Sequence, residues 1–297
     1  MQIGSILNEK YRIDKFLGKG GTASVYLCTN IEIGNRWALK HIPPDKTNEI
    51  AMSEIEILKR LYHPSLPRIV DVFRNKQGIY IVESNIEGIP MDRMLKKHGS
   101  FGLEKVTDWF MELCDILKYL HSVKPRPIIY RDMKPSNIIL TQGGRLVLVD
   151  FGVSQEYFEY ELRDSVLAGT SAYAAPEQLI KGGKTDQRTD IYNLGATVYQ
   201  MLYGRLAGGT NDKAGSIKGK AAAKMGSIIS KCMENRPEDR YQRVEDIQKE
   251  LEAVKSMLAA GKVRQGIVFK LEMASIAALS AVSYAAAVLG ALYSTSK

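Results

Sequence analysis

The stretch YRDMKPSNIIL, Tyr130 to Leu140, places an Arg, an Asp, a Lys and an Asn within eight residues, directly before an apolar run. Pro135 steers Lys134 away from the helical region, so Asp132, Lys134 and Asn137 cannot share a regular helix and belong to a loop. Beyond Leu140 a second apolar run, LVLV, closes on Asp150, Phe151 and Gly152. Any fold of this chain must therefore hold a charged loop against short buried strands. Two carboxylates and an amide at such positions form a reasonable set of hard oxygen ligands for Mg²⁺, with a Lys beside them to neutralise phosphate charge. Phosphoryl transfer asks a protein mainly for positioned charges, which accounts for the concentration.

The scaffold around that loop divides in two. Tyr11 to Leu17, Ala23 to Thr29 and Arg36 to Ile42 are β-prone runs separated by the turn segments GKGGT and EIGN. Two more predicted strands, Ile69 to Asn75 and Ile79 to Glu83, flank NKQG, and a helix is expected over Asn48 to Leu61. An antiparallel sheet with one helix follows. Past Met91 the pattern turns helical, with Val106, Phe110, Leu113, Leu117 and Leu120 at helical spacing. A small sheet-rich lobe precedes a larger helical one.

Two charges in the first lobe sit where the periodicity points inward. Lys40 shares a strand face with Ala38 and Ile42. Glu54 lies on the helical stripe of Ile50, Ile57, Leu58 and Leu61. A buried unpaired charge is costly, so the two are expected to meet; a snorkelling Lys and a solvated rim Glu are the alternative. The loop LGKGGTASVY, Leu17 to Tyr26, joins strand to strand, which excludes the dinucleotide fingerprint that needs a helix after its glycines. Glycines there still let backbone N–H groups approach a phosphate, although a plain hairpin explains them too.

A chain of 297 residues with 45% hydrophobic content can bury a sizeable core. Cys28, Cys114 and Cys232 are too scattered for a metal site or a disulfide framework, which suits a reducing compartment and core or surface thiols. The net charge of +8 is interspersed with acids along most of the chain, so no nucleic-acid partner is expected. The N-terminus, MQIGSILNEKYR, has no apolar signal core and no Gly at position 2, so the bulk of the chain is expected to stay where it is made.

Taken in order, these motifs resemble the eukaryotic-type protein serine/threonine kinases, and in flavour their bacterial branch, over roughly residues 8 to 255. The resemblance implies an α+β, two-lobed fold: a small antiparallel-sheet N-lobe over residues 1–88 and a mainly helical C-lobe over 89–260. It also implies ATP and Mg²⁺ as cofactors, with Mn²⁺ a possible substitute, and protein Ser/Thr hydroxyls as acceptors, autophosphorylation included. GKGGTASV resembles the Gly-rich loop, with Gly18, Lys19, Gly20 and Gly21 over the nucleotide and Ala23 where a third Gly is usual. Lys40 would contact the α- and β-phosphates and Glu54 would be its helix partner. Asp132 would accept the hydroxyl proton, Lys134 would contact the γ-phosphate, and Asn137 and Asp150 would bind metal. Val25, Ala38 and Ile139 resemble the apolar sandwich around adenine. GTSAYAAPE, Gly169 to Glu177, resembles the end of the activation loop, and Thr170 fits a serine/threonine enzyme. Asp190 would brace the catalytic loop and Arg240 would pair with Glu177.

The departures bear on activity. Tyr130 replaces the common His of HRD. Glu83 falls at the gatekeeper position with Asn85 in the hinge, an odd place for a carboxylate that needs a partner or an altered pKa; a one-residue shift would put Val82 there instead. A catalytically weak pseudokinase acting as a nucleotide-binding scaffold is thus the alternative, while a small-molecule kinase would be expected to lack GTSAYAAPE. In the activation loop Ser165 is the well-placed hydroxyl, with Arg131 as its phosphate sensor; Glu161 or Asp164 acting constitutively is the rival. Gly204 to Gly226, rich in Gly, Ala and Lys, reads as a solvated loop or as a basic docking patch for acidic partners.

After an amphipathic helix over Val244 to Leu258, residues 261–272 form a basic linker, and 273–293, MASIAALSAVSYAAAVLGALY, are uncharged and just long enough to span a bilayer. Lys262, Arg264 and Lys270 before it predict a cytoplasmic kinase domain held by a single C-terminal span. An Ala-rich helix lying on the lobe is the alternative. Small residues at four-residue spacing, Ala274 with Ala278 and Ala286 with Gly290, would also permit a homodimer.

Overall fold

A computed structural model describes residues 1–20, 23–44, 48–152, 155–156, 172–180, 182–207 and 218–261. The β-branched and aromatic runs at the start of the chain form a six-stranded antiparallel sheet: β1 (Ile6–Leu7), β2 (Tyr11–Lys19), β3 (Ser24–Asn30), β4 (Arg36–Ile42), β5 (Ile69–Asn75) and β6 (Gly78–Ser84). Its strand order is β1-β2-β3-β4-β6-β5. Alternation gives the sheet two faces. Tyr11, Ile13, Tyr26, Cys28, Leu39, Tyr80 and Val82 form one apolar cluster. Ala23, Ile42, Ile79 and Ile81 pack with Ala51 and Ile55 of helix α1 (Asn48–Lys59) in another.

The larger lobe is built on α3 (Leu103–Ser122) and α4 (Gln187–Tyr203), which pack against each other. Val106, Phe110, Leu113, Leu117 and Leu120 are all fully buried, as their helical spacing predicts. Asp186 caps α4, accepting from the backbone of Arg188 at 2.8 Å. Gly204 ends it at φ +72°, and a Cβ there would fall 2.6 Å from the carbonyl oxygen of Gly99. The remaining elements are β7 (Gly88–Pro90), α2 (Met91–His98), β8 (Ile128–Ile129), β9 (Ile138–Thr141), β10 (Leu146–Leu148), β11 (Gln155–Glu156), α5 (Lys220–Cys232) and α6 (residues 244–261). In sheet β10-β9-β7 and the pair β8–β11, β8 leads into and β9 follows the charged loop of residues 130–137.

One expectation needs correcting. The loop reading of Gly204 to Gly226 fails from Lys220 onward, where α5 begins and buries Ala222, Met225, Ile228, Ile229 and Cys232. These recur at helical spacing, but the small residues dilute the signal that larger side chains would give. Cys28, Cys114 and Cys232 are all buried and free, so they are core thiols. Among the described residues no helix is long and apolar enough to cross a membrane, and the uncharged run 273–293 lies outside them.

Candidate active site

Lys40 and Glu54 do meet. The Lys40 Nζ donates to Glu54 Oε1 at 2.7 Å and Oε2 at 2.8 Å, and to Asp150 Oδ1 at 2.9 Å. β4 aims Lys40 inward by alternation with Leu39, and α1 presents Glu54 from the stripe of Ile57, Leu58 and Leu61. Burial would lower the Lys40 pKa, but the Asp150 and Glu54 carboxylates raise it, so the ammonium stays charged. Lys40 in turn holds the Asp150 carboxyl below its ordinary range. Burial pushes Glu54 upward, and Lys40 opposes that. Asp150 sits at φ +67°, a left-handed conformation uncommon for a residue with a side chain. The turn buries Phe151, which stacks edge-on against Tyr130 with ring centroids 5.1 Å apart. A Cβ on Gly152 would meet Asp150 Oδ1 at 3.3 Å and Lys40 Nζ at 3.4 Å, so a side chain there would crowd the cluster.

The second cluster is the loop before β9. Lys134 Nζ donates to Asp132 Oδ1 at 2.9 Å and Oδ2 at 2.7 Å, and Asn137 Nδ2 donates to Asp132 Oδ2 at 2.9 Å and to its backbone oxygen at 3.0 Å. Pro135–Asn137 form a 3₁₀ turn, and the Val149 N–H donates to the Asn137 carbonyl at 2.9 Å, tying the loop to the residue before Asp150. The Asn137 amide N–H is thereby committed to Asp132, while its oxygen accepts at 3.4 Å from the Ser136 hydroxyl and keeps a second lone pair for another partner. Burial raises the Asp132 pKa and Lys134 opposes it, which keeps the carboxylate basic yet ionisable.

Buried polar groups fix that loop from below. Asp190 accepts from the backbone N–H of Arg131 at 2.7 Å and of Tyr130 at 2.9 Å, and lies 2.8 Å from His121 Nε2. Arg131 sits at φ +68° and is buried, and its Nε has no partner among the described residues. The Gln178 amide donates to the Arg131 carbonyl at 2.8 Å, Thr197 Oγ1 donates to the Met133 carbonyl at 3.0 Å, and the Tyr130 hydroxyl donates to the Val149 carbonyl at 2.6 Å. Farther down, Arg240 makes a fork to Glu177, at 2.7 and 2.8 Å. His121, Gln178 and Thr197 were not expected from the sequence, because each acts on a backbone group distant in the chain and carries no local pattern.

The mouth of the cleft is formed by β2, β3, β4 and β6. Gly18 pairs with Val25 in register, Lys19 with Ser24, and the Gly20 N–H donates to the Ala23 carbonyl at 2.8 Å. Among the described residues nothing lies within 4 Å of a Cβ added at Gly18, and at Gly20 only that carbonyl, at 3.8 Å. Val25 lies opposite Lys40, and Ala38 opposite Glu83. Ile139 lies on β9 opposite Pro90, and Asn85 follows β6 in the connection to β7. Glu83 shares the face of Ile79 and Ile81, whereas Val82 is buried in the cluster on the opposite face. Burial raises the Glu83 pKa to about 8, with the nearby Glu54 carboxylate adding to it. Gly21, Ser165 and Thr170 lie outside the described residues.

The clusters suit a metal–phosphate ligand. Asp150 keeps one carboxylate oxygen with no bond among the described residues, its side chain 46% exposed, and Asn137 is tied by its backbone carbonyl to Val149, the residue before Asp150. Hard oxygen donors of this kind fit Mg²⁺.

The protein kinase domain family matches residues 11–262. A chain of Clostridium acetobutylicum named as a probable serine/threonine-protein kinase is 26% identical over 274 residues, covering 86% of this chain and 41% of the relative. The CBL-interacting protein kinase 11 of Oryza sativa subsp. japonica is 30% identical over 210 residues, and the CBL-interacting serine/threonine-protein kinase 13 of Arabidopsis thaliana 32% over 210, each covering 68% of this chain and 41% of the relative. The chain thus spans about two fifths of the length of these relatives.

Proposed function

Given that this chain belongs to the protein kinase domain family, we propose that it is a protein serine/threonine kinase that moves the γ-phosphoryl group of ATP to Ser or Thr hydroxyls of proteins, its own among them. The observation that carries this reading is the pairing of two clusters: Lys40 bonded to both Glu54 and Asp150, and Asp132 clamped by Lys134 and Asn137. A scaffold without turnover would have no need to keep both.

The acceptor hydroxyl lies beside Asp132, whose carboxylate takes its proton as the oxygen bonds to the γ-phosphorus and the bond to the bridging oxygen of ADP breaks. Lys134 balances charge on the transferred group and Lys40 orients the other phosphates, itself oriented by Glu54. Asp150 and Asn137 are the residues to hold Mg²⁺, which when bound neutralises phosphate charge. Gly18, Lys19, Gly20 and Gly21 cover the phosphates, and Val25, Ala38 and Ile139 sandwich the adenine. Glu83 is the gatekeeper and Asn85 a hinge contact. Arg131, buried with an open donor, receives a phosphate on Ser165. Thr170, near the end of the activation loop, belongs with Ser165 and Arg131 to the regulatory set.

Residues 1–260 form the kinase unit. Residues 261–272 are a basic linker, and 273–293 a C-terminal span that holds the unit at a membrane and brings two copies together. The support for the span is its length, its lack of charge and the cations before it. A fusion of residues 262–297 to a soluble reporter should sediment with membranes; a reporter left in the soluble fraction removes the anchor. For the activity itself, the chain incubated with labelled ATP, Mg²⁺ and a generic acceptor protein should yield phosphoserine or phosphothreonine, and label on tyrosine alone would reject the serine/threonine assignment.

A further inference from the structure

The excess positive charge is not spread evenly over the folded chain. Residues 91–100 and 200–231 hold nine Lys and Arg against two acids, Asp92 and Asp212, which accounts for most of the net +8. The fold brings the ends of α2 and α4 together beside the catalytic loop. Helix α2 packs on the Pro135–Asn137 turn. Its C-terminal end meets that of α4, where the Phe101 N–H donates to the Met201 carbonyl at 2.9 Å and Gly204 passes against Gly99. Tyr173 belongs to the same wall: its carbonyl accepts from Asn193 Nδ2 at 2.7 Å and its hydroxyl bonds Gln200.

Not every cation contributes. Lys224 turns to Glu250, and Lys231 lies 4.4 Å over the ring of Tyr241. The first turn of α3 adds Glu104 and Lys105, which cancel. Arg205 lies 5.7 Å over the ring of Tyr199, and what remains is an exposed set, Arg93, Lys96, Lys97, Lys218 and Lys220. Against these stands Asp92, already 3.4 Å from Lys96, which remains 79% exposed. One rim ion pair is worth little, but several cations on one face raise the local concentration of an oppositely charged segment and speed its arrival.

We propose that this face, formed by the C-terminal halves of α2 and α4 and the start of α5, binds an acidic stretch of the protein substrate flanking the hydroxyl to be phosphorylated. The preferred acceptor then lies in an Asp- and Glu-rich segment. This rests on the kinase reading above, so its test reads binding apart from turnover.

Fluorescein-labelled 15-residue peptides with one central Ser, flanked by Glu, by Gln or by Lys, would be titrated with the chain of residues 1–297 while anisotropy is followed. The Glu peptide should bind roughly 10-fold more tightly than the Gln peptide, an advantage that fades as salt screens it. The double variant Lys96→Glu/Lys97→Glu, changed at two exposed helix positions, should lose about that factor for the Glu peptide while retaining ATP affinity. Lys218→Glu/Lys220→Glu should act in the same direction from the other edge. Equal affinity for Glu and Gln peptides, or no effect of either variant, overturns the proposal. So does charge-dependent sedimentation with anionic phospholipid vesicles in the absence of Glu-peptide selectivity, which would assign the face to a lipid surface. A chain that selects the Glu peptide but transfers no phosphate keeps this face and removes the kinase reading. A chain that phosphorylates all three peptides equally does the reverse.

Discussion

Two buried ionic clusters, one joining the two lobes and one within the larger lobe, look alike in composition and differ in closure. In the lower lobe the Arg240 side chain is fully buried, and its donors reach Glu177 twice and the backbone oxygens of Glu234, Arg188 and Asn235. Glu177 also accepts from Thr189 at 2.8 Å. Among the described residues that pair is satisfied on every side. In the upper cluster Lys40 and Glu54 are equally buried, but the third member, Asp150, is nearly half exposed and faces the cleft at a strained backbone angle. A closed cluster fixes structure, whereas an open one leaves charge for a ligand.

The comparison can be broken by substitution. Asp132→Asn removes the proton acceptor while keeping shape, and transfer to a peptide Ser should fall by about 10³-fold or more with ATP affinity little changed. Lys40→Met should reduce transfer by at least about 10²-fold and also lower thermal stability, because Glu54 is left buried without its cation. Adding Glu54→Leu should restore part of the stability and none of the activity, a split that a purely structural role for the pair would not give. Arg240→Leu should behave in the opposite way: stability drops by about 3–5 kcal/mol, read from denaturant midpoints, and the folded remainder retains turnover close to the parent.

Glu83 sharpens the contrast from a third position. With its pKa raised to about 8, the folded state holds a proton that the unfolded chain loses near pH 4.5. Stability therefore carries no contribution from this group below that pH, falls as pH rises from about 4.5 to 8, and levels off above. Glu83→Gln should remove that fall, so the variant gains on the parent across this window by an amount on the order of a few kcal/mol at pH 8. Parallel pH–stability curves for the two proteins would refute the assignment. Ser165→Ala should have the smallest effect, a several-fold loss of activity in chain that has first been incubated with ATP, and none in chain treated with phosphatase.

Much of the open cluster could be read from one dimension. Lys40 was placed inward by the two-residue strand period, and Glu54 by the helical stripe, both of which are local rules. The loop around Asp132 was legible because Pro135 forbids the helix. What could not be read depends on contacts between distant residues. Asp190 reaches the Tyr130 and Arg131 backbone N–H groups across some sixty positions. His121, Gln178 and Thr197 join it only once α3 and α4 are packed. The left-handed backbone at Arg131 and Asp150 goes against residue preference and is imposed by this surrounding network. Helix α5 was missed for a different reason: its buried face is partly Ala and Gly, which reads as loop composition until a neighbouring helix supplies the core. That Glu83 and not Val82 shares the face of Ile79 and Ile81 likewise needed the fold.

The most direct test of the account is phosphate transfer by the chain, its Asp132→Asn variant and its Lys40→Met variant, assayed side by side with labelled ATP and Mg²⁺ and mapped by mass spectrometry. The account predicts label on Ser or Thr in the parent and its loss in both variants, with nucleotide binding retained by Asp132→Asn. An unlabelled parent that still binds ATP, or label that survives Asp132→Asn unchanged, would contradict it.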